Sequence, residues 1–290
     1  MTLEKLSPCK VNLVLNILGK RADGFHELET LMHPVRVHDR LVFDRTGATL
    51  RLTCSEPSLP TDSRNLVYRA ASAFLEKTGV KDGIQLHLEK RIPLAAGLGG
   101  GSGNAATTLL GLNELFGQPL SALELHQMAS SLGSDVSFFL QERPALATGR
   151  GEQVKALEPF PILHGCCWIL IHPGFGIATA WAYKELARFP EALQGLPGRA
   201  ARLADHLRNG DLAGACGELY NSLEAPALDK YPILSLYQEF LREQGALGAL
   251  MSGSGSTTFA LVQDVETANG ILEKFRERFG TAAWASVVAS

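Results

Sequence analysis

Residues 93–106 of this 290-residue chain read Pro93-Leu-Ala-Ala-Gly97-Leu98-Gly99-Gly100-Gly101-Ser102-Gly103-Asn104-Ala105-Ala106. Glycines are concentrated between positions 97 and 103, and small residues typical of a tightly packed helix follow them. Glycine adopts positive φ without strain and lets a ligand approach the backbone. A helix start offers unpaired N–H groups and the positive end of the helix dipole. The segment therefore predicts an anion site, most often a phosphate site.

Two well-known phosphate loops fit this segment poorly. A Walker A loop requires a lysine directly after its glycines, and no lysine follows them here. Residues 101–106 fit the dinucleotide-binding pattern G-x-G-x-x-A, but that pattern needs a tight turn directly after a buried strand. Here a strand of alternating polarity, residues 84–90, is separated from the glycines by Pro93 and a long loop. A Rossmann oxidoreductase is therefore the weaker alternative.

The composition is that of an ordinary soluble globular protein. Hydrophobic residues make up 46% and charged residues 20% of the chain, which suits a soluble protein with a sizeable core. A net charge of −3 argues against a nucleic-acid or membrane-surface partner. The five cysteines are scattered without C-x-x-C spacing, as reduced thiols are. With no secretory signal pattern at residues 1–20, we expect a cytoplasmic protein.

Hydrophobic periodicity and turn residues predict mixed secondary structure in both halves of the chain. In the first half, strands are expected at 11–18, 27–36, 39–44, 49–54 and 84–90, with short strands near 136–148. Helices are expected from a cap at Asn65 or Ser63 to about Thr78, at 104–116, and from Ser121 to Gly133. In the second half, strands are expected at 166–172, 247–251, 257–263 and 283–288, and helices at 178–187, 199–208, 212–224, 232–244 and 265–279.

The segment Pro159-Phe-Pro161 predicts a domain boundary, which gives domains of residues 1–158 and 159–290. In the second domain the strands and the helices at 232–244 and 265–279 follow a β-α-β-β-α-β order, with extra helices in the first crossover. That order is the split-βαβ arrangement. The fold class is therefore α+β.

Three short segments could carry chemistry. Lys10 and Asn12 share one face of the first predicted strand, and such a lysine can stabilise developing phosphoryl charge; a solvated lysine at a strand end is the alternative. Asp135, after Gly133, is either a local turn residue or a base for a hydroxyl group. The loop from Met251 to Thr257 is a hairpin that could also support the first glycine loop. No histidine or cysteine spacing predicts a metal site.

These segments occur in an order that resembles the GHMP small-molecule kinases. The matching stretches are Ser7-Pro-x-Lys10-Val-Asn12, Pro93 through Gly103 and Met251 through Ser256. The resemblance implies a two-domain α+β fold, with an N-terminal half like ribosomal protein S5 domain 2 and a ferredoxin-like C-terminal half. It also implies that Asp135 acts as base while Lys10 polarises the acceptor hydroxyl.

The same resemblance implies that ATP is bound as cosubstrate with Mg²⁺. Its phosphates would be cradled by Pro93, Leu94, Ala95, Ala96, Gly97, Leu98, Gly99, Gly100, Gly101, Ser102 and Gly103. Asn65 would lie near the adenine, although a helix cap explains this residue equally well. The family usually has a serine where Gly103 stands, which would remove one contact to phosphate or Mg²⁺ but leave the backbone donors in place.

A further segment narrows the resemblance. Residues 21–28, Arg-Ala-Asp-Gly-Phe-His-Glu-Leu, are similar to the R-x-D-G-Y/F-H-x-L of GHMP kinases that phosphorylate a CDP-linked methylerythritol. The resemblance implies that Phe25 stacks on cytosine, that His26 hydrogen-bonds to it, and that Tyr183 is the second stacking ring. Phe25 replaces the commoner tyrosine, so stacking is kept and a hydroxyl is lost. Contacts to the substrate are also implied for Asn12 and Thr179.

Two alternatives stay open within this family. The chain could phosphorylate homoserine, mevalonate or a sugar, but residues 23–26 argue against those acceptors. It could instead bind nucleotide without catalysis, which the presence of both Lys10 and Asp135 argues against. We expect small-molecule partners alone, with neither nucleic acid nor membrane, and a monomer or weak homodimer.

Overall fold

The fold is described from a computed structural model, and the description covers residues 2–46 and 49–290. The strands are β1 (Thr2–Lys20), β2 (His26–Arg45), β3 (Leu50–Cys54), β4 (Ile84–Glu89), β5 (Ala145–Thr148), β6 (Gln153–Ala156), β7 (Cys167–His172), β8 (Tyr220–Asn221), β9 (Gly248–Met251), β10 (Thr258–Val262) and β11 (Trp284–Ala289). The helices are α1 (Leu66–Thr78), α2 (Gly100–Leu115), α3 (Ala122–Leu132), α4 (Thr179–Glu185), α5 (Pro190–Leu193), α6 (Arg199–Arg208), α7 (Leu212–Gly217), α8 (Glu224–Lys230), α9 (Ile233–Glu243) and α10 (Val265–Phe279).

The chain forms two compact units, each discontinuous in sequence. The first unit comprises the described parts of Met1–Cys9, Val37–Ile92 and Gly99–Glu142, and the second comprises Lys10–Arg36, Pro93–Leu98 and Arg143–Ser290. Strands β1 and β2 contribute residues to both units. The predicted boundary between residues 158 and 159 divides the chain by sequence, and it stays a prediction.

In the described part of the first unit, helices α1, α2 and α3 accompany a small sheet. Strand β4 pairs in parallel with β3 and antiparallel with the Arg40–Arg45 end of β2. Helix α1 buries Val67, Ala70, Ala71 and Phe74, a spacing that places all four on one face. Helix α1 packs on α2 and α3.

Helix α2 begins at Gly100, four residues before the predicted start at 104. Glycine disfavours a helix interior, so the sequence predicts a later start. Close packing explains the difference: an added Cβ at Gly103 would lie 2.5 Å from the Pro8 carbonyl oxygen, and one at Gly111 would lie 2.5 Å from the Phe43 ring. Tertiary contact therefore overrides helix propensity at this end of α2.

In the second unit, β1 lies between β2 and the parallel strand β8. Every residue from Val11 to Ile17 is buried, so the polar side chains there need partners in the core. The Asn16 amide donates to Glu29 and to the Leu196 carbonyl oxygen. The Glu29 carboxylate in turn accepts from the N–H groups of Gly198 and Arg199 and caps the start of α6.

The second unit also contains a four-stranded antiparallel sheet in the order β11-β7-β10-β9. Helices α9 and α10 pack on it through an apolar cluster that includes Ile169, Ile171, Phe240, Leu241 and Phe275. The chain order β7, α9, β9, β10, α10, β11 confirms the predicted split-βαβ arrangement. The prediction for α10, residues 265–279, matches the structure to the residue.

Two predicted elements are wrong. Residues 137–140 form a 3₁₀ turn, and strand structure in the segment predicted near 136–148 is confined to β5. Phe138 and Phe139 are both buried, so these neighbours do not alternate between two faces as a half-buried strand requires. The predicted helix at 212–224 ends at Gly217, because Tyr220 and Asn221 pair with β1.

The buried His33 predicts a loss of stability in acid. Its Nδ1 has no hydrogen-bond partner within the described chain, and burial lowers the pKa of His33 to about 4. The unfolded chain takes up this proton near pH 6.5 and the folded chain does not, so stability falls as pH drops from 6.5 towards 4 by ~3 kcal/mol. Urea unfolding across that range should show a shallower decline for His33→Leu than for wild type. An unchanged decline, equal to that of the exposed control His126→Leu, would contradict this assignment.

The helices in the described part of the chain are all too short or too polar to span a membrane. All five cysteines are free thiols.

Candidate active site

Lys10 lies on β1 with its side chain inside the second unit. The residue is 3% exposed, and its Nζ donates to the Asn12 Oδ1 at 2.5 Å and to the Gly97 carbonyl oxygen at 2.7 Å. The Asn12 amide nitrogen donates to the Thr30 hydroxyl at 2.9 Å. The alternative of a solvated lysine is therefore excluded, because this ammonium is buried and hydrogen-bonded beside the glycine loop.

The second glycine-rich loop supports the first. The Ser252 hydroxyl donates to the Gly97 carbonyl oxygen at 2.9 Å and accepts from the Asn12 N–H at 3.3 Å. The Thr257 N–H donates to the Ala96 carbonyl oxygen at 3.1 Å. A Cβ added at Gly97 would lie 2.0 Å from the Ser252 carbonyl oxygen, so only glycine allows this approach. The loop that the sequence places between β9 and β10 is therefore both a hairpin and a support.

Two residues that the sequence does not single out hold this supporting loop. The Asn221 amide nitrogen donates to the carbonyl oxygens of Met251 and Gly253, each at 2.7 Å. The Glu224 carboxylate accepts from the Met251 N–H at 2.7 Å and from the Gln238 amide at 2.6 Å. Burial raises the pKa of Glu224 to about 7. Asn221 ends β8 and Glu224 begins α8, and neither residue belongs to a recognisable motif.

The residues expected to bind a nucleobase also lie in the second unit. The rings of His26 and Tyr183 are 5.2 Å apart between centroids and inclined by 35°. The neighbouring Phe25 is 53% exposed, and the Arg150 guanidinium lies 4.6 Å from its ring centroid. Thr179 contacts the supporting loop through a hydroxyl pair with Ser254 at 2.9 Å. The structure thus brings His26 and Tyr183 together and presents Phe25 to solvent.

In the first unit, the start of α2 has the features of an anion site. Gly99 precedes the helix with a φ of 69°, and no side chain in residues 2–46 or 49–290 caps this end. The first turn contains no acidic residue, so the N–H groups and the positive end of the dipole face no carboxylate from within the helix. Ser102 lies in this turn and is half-buried.

Close packing around the start of α2 explains why position 103 is a glycine. A serine here would bring its Cβ to 2.5 Å from the Pro8 carbonyl oxygen, which is a backbone atom and must move. Gly103→Ser is therefore expected to reduce the free energy of unfolding by about 1–2 kcal/mol. Urea denaturation measures this change.

Gly101→Ser is the matched control for that substitution. A Cβ at Gly101 would meet only the Leu66 Cδ1, at 3.8 Å, which is an ordinary contact. If both variants are equally stable, close packing is not the reason for glycine at position 103.

The remaining two predicted residues also belong to the first unit. Asp135 lies in the turn between α3 and the following 3₁₀ turn and is half-buried; its role as base stays a prediction. Asn65 caps α1, because its side-chain oxygen accepts from the Val67 N–H and its amide donates to the Pro60 carbonyl oxygen. The cap explanation of Asn65 is correct, and its contact with adenine stays a prediction.

Comparison with known proteins shows the family to which the chain belongs. The family described as GHMP kinases N terminal domain matches residues 65–143, and GHMP kinases C terminal matches residues 199–281. The 4-diphosphocytidyl-2-C-methyl-D-erythritol kinase of Syntrophotalea carbinolica is 39% identical over 285 residues, which cover 97% of this chain and 96% of that protein. This chain belongs to the 4-diphosphocytidyl-2-C-methyl-D-erythritol kinase family of GHMP kinases.

Solved structures of related kinases have the same fold as this chain. A crystal structure of 4-(cytidine 5'-diphospho)-2C-methyl-D-erythritol kinase is 36% identical and superposes with a TM-score of 0.82, covering 99% of this chain and all of its own. The homoserine kinase of Cytophaga hutchinsonii has a TM-score of 0.74 over 99% of this chain and 94% of its own. At 20% identity, that second likeness shows the fold alone. The predicted GHMP kinase fold is confirmed.

Proposed function

We propose that this chain transfers the γ-phosphoryl group of ATP to the 2-hydroxyl of 4-diphosphocytidyl-2-C-methyl-D-erythritol, giving the 2-phosphate and ADP. The observation that carries the proposal is 39% identity over 97% of the chain to a kinase named for that substrate. The product would serve the non-mevalonate route to isopentenyl diphosphate. Action in the cytoplasm, as a monomer or weak homodimer, forms part of the proposal.

The proposed ATP phosphate site is the segment from Pro93 to Gly103. Backbone N–H groups at an uncapped helix start suit an anion, and the glycine at position 97 has a φ of 75°. The Lys10 ammonium beside the Gly97 carbonyl oxygen adds a positive charge to the part of this segment that belongs to the second unit. These features favour a polyphosphate over a neutral ligand.

Mg²⁺ would accompany the nucleotide. No group of three or more histidine, cysteine, aspartate or glutamate side chains able to hold a metal occurs in the described chain. Mg²⁺ bound with a nucleotide usually takes one or two protein oxygens, with phosphates and water completing the octahedron. The Ser102 hydroxyl, in the first turn of α2, is the protein oxygen that fits. Bound there, the ion would neutralise phosphate charge.

Lys10 and Asp135 are the proposed catalytic residues. The acceptor oxygen attacks the γ-phosphorus, the bond from that phosphorus to the ADP oxygen breaks, and the hydroxyl proton passes to Asp135. Phosphoryl transfer depends mostly on positioning and charge stabilisation. A buried ammonium such as that of Lys10 is held without reorganisation, which makes it effective against developing negative charge. Asn12 would fix both the ammonium and the acceptor.

The cytosine would bind beside the hairpin that joins β1 and β2. In the proposed complex, Phe25 and Tyr183 stack on the base, His26 hydrogen-bonds to its polar edge, and Thr179 contacts the acceptor. The exposed Phe25 ring has room for a ligand on its solvent side. Stacking of this kind tolerates phenylalanine in place of tyrosine.

The acceptor-binding step should depend on the charge of His26. Partial burial lowers the pKa of His26, and the positive charge of Lys20 lowers it further. Neutral His26 can accept a hydrogen bond from the cytosine amino group, so kcat/KM for the acceptor should rise with pH until His26 is deprotonated and then level off. Lys20→Met should move this rise to higher pH.

Profiles of kcat/KM against pH for wild type, Lys20→Met and the exposed control Lys81→Met measure this dependence. Coincident profiles for Lys20→Met and wild type would remove His26 from the acceptor-binding step.

The test of the proposed function is ADP release from ATP with four acceptors. The cytidine-linked substrate is run beside mevalonate, homoserine and galactose at equal concentrations. Turnover with the cytidine-linked substrate alone supports the proposal. Turnover with one of the others identifies a different GHMP kinase. ATP binding without turnover of any acceptor would identify a nucleotide-binding protein and overturn the proposal.

A further inference from the structure

A single buried carboxylate joins the two ends of the proposed phosphate loop. Asp39, on β2 in the first unit, has no exposed surface. Its Oδ1 accepts from the N–H groups of Arg91 and Ile92 at 2.7 and 2.9 Å. Its Oδ2 accepts from the Asn104 amide at 2.9 Å and from the Lys90 ammonium. Arg91 and Ile92 directly precede the loop, and Asn104 directly follows it.

Asn104, the partner of Asp39 in helix α2, has hydrogen bonds at both polar atoms of its side chain. The Asn104 amide nitrogen also donates to the Ser7 hydroxyl at 2.9 Å, and its oxygen accepts from Lys90 Nζ at 3.2 Å. Asn104 is 2% exposed. Every polar atom of its side chain therefore has a partner, so the amide can take only one orientation without leaving a buried donor or acceptor unpaired.

Lys90 balances the buried charge. Its side chain is 7% exposed, and a Cβ added at Gly100, the first residue of α2, would lie 3.4 Å from its Nζ. An unbalanced cation beside a helix N-terminus would be unfavourable. Because the Asp39 carboxylate neutralises the Lys90 ammonium, no net positive charge lies beside the positive end of the α2 dipole. A buried ion pair such as Asp39–Lys90 rarely makes a protein more stable than apolar side chains would in its place. We therefore expect the pair to act by fixing local geometry.

We propose that Asp39 is a positioning residue for the phosphoryl donor: its carboxylate fixes both ends of the segment from Pro93 to Gly103, so that the backbone N–H groups point at the phosphates before ATP arrives. This inference rests on the proposed function, because it takes that segment as the ATP loop. Lys90 and Asn104 act with Asp39 as the partners that allow a charged carboxylate to lie in the core.

A substitution and its compensating partner test the inference. Asp39→Asn keeps an oxygen for the Arg91 and Ile92 N–H groups but turns an amide donor towards Lys90 and Asn104, which are also donors. The double variant D39N/N104D restores the pairing between positions 39 and 104, because the amide introduced at position 39 then donates to the carboxylate introduced at position 104. That carboxylate also accepts from the Ser7 hydroxyl and replaces position 39 as the charged partner of Lys90. The double variant also has the formal charge of wild type. Asp44→Asn, near the end of the same strand, is the matched control.

Steady-state kinetics with each substrate varied give the first measurement. Asp39→Asn should raise KM for ATP about tenfold, the effect of one unpaired buried donor, and should leave KM for the acceptor nearly unchanged. D39N/N104D should recover most of the loss, and Asp44→Asn should behave as wild type. Equal increases in both KM values, or a lower melting temperature with an unchanged KM for ATP, would overturn the inference.

Hydrogen exchange of the amides in residues 93–104 gives a second measurement that needs no activity. Without nucleotide, Asp39→Asn should speed exchange in this segment, and D39N/N104D should slow it again. If wild type turns over no acceptor, the proposed function fails while this measurement still decides the role of Asp39. If Asp39→Asn does not fold, Asn104→Ala removes the hydrogen bond between Asp39 and helix α2 and keeps those from Arg91 and Ile92. This variant should also raise KM for ATP and leave KM for the acceptor nearly unchanged. Unchanged exchange in every folded variant would contradict the proposal.

Discussion

Gly97→Ala should lower kcat/KM for ATP about a hundredfold, which is the loss expected when a positioned group moves by roughly 1 Å. Gly97 has a φ of 75°, and a Cβ there would lie 2.0 Å from the Ser252 carbonyl oxygen and 2.9 Å from the Gly255 nitrogen. Both neighbours are backbone atoms, so the supporting loop must move as a whole. Because Gly97 also accepts from Lys10 Nζ, the ammonium would move too. Initial rates with ATP varied measure the effect.

Gly79→Ala is the control that separates the effect of backbone strain at positive φ from the effect of a steric clash. Gly79 ends α1 with a φ of 68°, and a Cβ there would meet no atom within 4 Å. This control therefore carries the cost of a positive φ without the steric clash. We expect it to lose some stability and to keep its activity. If Gly97→Ala loses no more activity than Gly79→Ala, the contact between the two glycine-rich loops does not matter for catalysis.

Lys10→Met should lower kcat by about 10²–10³, the usual effect of removing one preorganised donor from developing charge. Methionine keeps much of the apolar stem in a buried position. The Gly97 carbonyl oxygen would still accept from the Ser252 hydroxyl, so the loop should hold its shape, and the affinity for ATP should fall far less than kcat. Single-turnover rates and an ATP titration separate the two effects.

Lys5→Met is the control for that change, since Lys5 lies on the same strand and pairs with Glu114 at the surface. A kcat within a few-fold of wild type for Lys10→Met would remove Lys10 from the chemical step. Asp135→Asn provides the complementary test of the proposed base. Turnover near wild type for that variant would leave Asp135 as a turn residue only.

Local patterns predicted the parts of this fold that local chemistry determines. Helix α10 illustrates this, because its capping side chain, its apolar face and its terminal glycine all lie within a single stretch of chain. Asp264 caps the helix, Gly280 ends it, and the buried face is formed by Ala268, Ile271, Leu272 and Phe275. The glycine segment likewise predicts a phosphate site from its own residues. Lys10 was identified by its position on a strand, but its burial could not be predicted, because it depends on Gly97 and Ser252.

The residues that were missed act across long sequence separations. Asp39 bonds to Arg91, Ile92 and Asn104, and Asn221 bonds to Met251 and Gly253. A lone aspartate or asparagine in a strand predicts a solvated or capping side chain, since these residues favour such local bonds. Glu224 gave no signal either, because the neighbours that bury it lie on α9 and β9. Only the assembled unit distinguishes such residues from ordinary surface polar groups.

The contacts around Lys10 also constrain how this kinase folds. Lys10 and Gly97 are 87 residues apart, Gly97 and Ser252 are 155 apart, and Asn12 and Ser252 are 240 apart. Contacts of such high contact order close long loops and form slowly. The two contacts that involve Ser252 require the loop between β9 and β10. A nascent or truncated polypeptide that lacks this loop therefore has no complete environment for Lys10. On refolding, activity should therefore return only after the last of these long-range contacts has formed. The circular dichroism of helices, which α1 and α10 can form from local sequence alone, should return earlier.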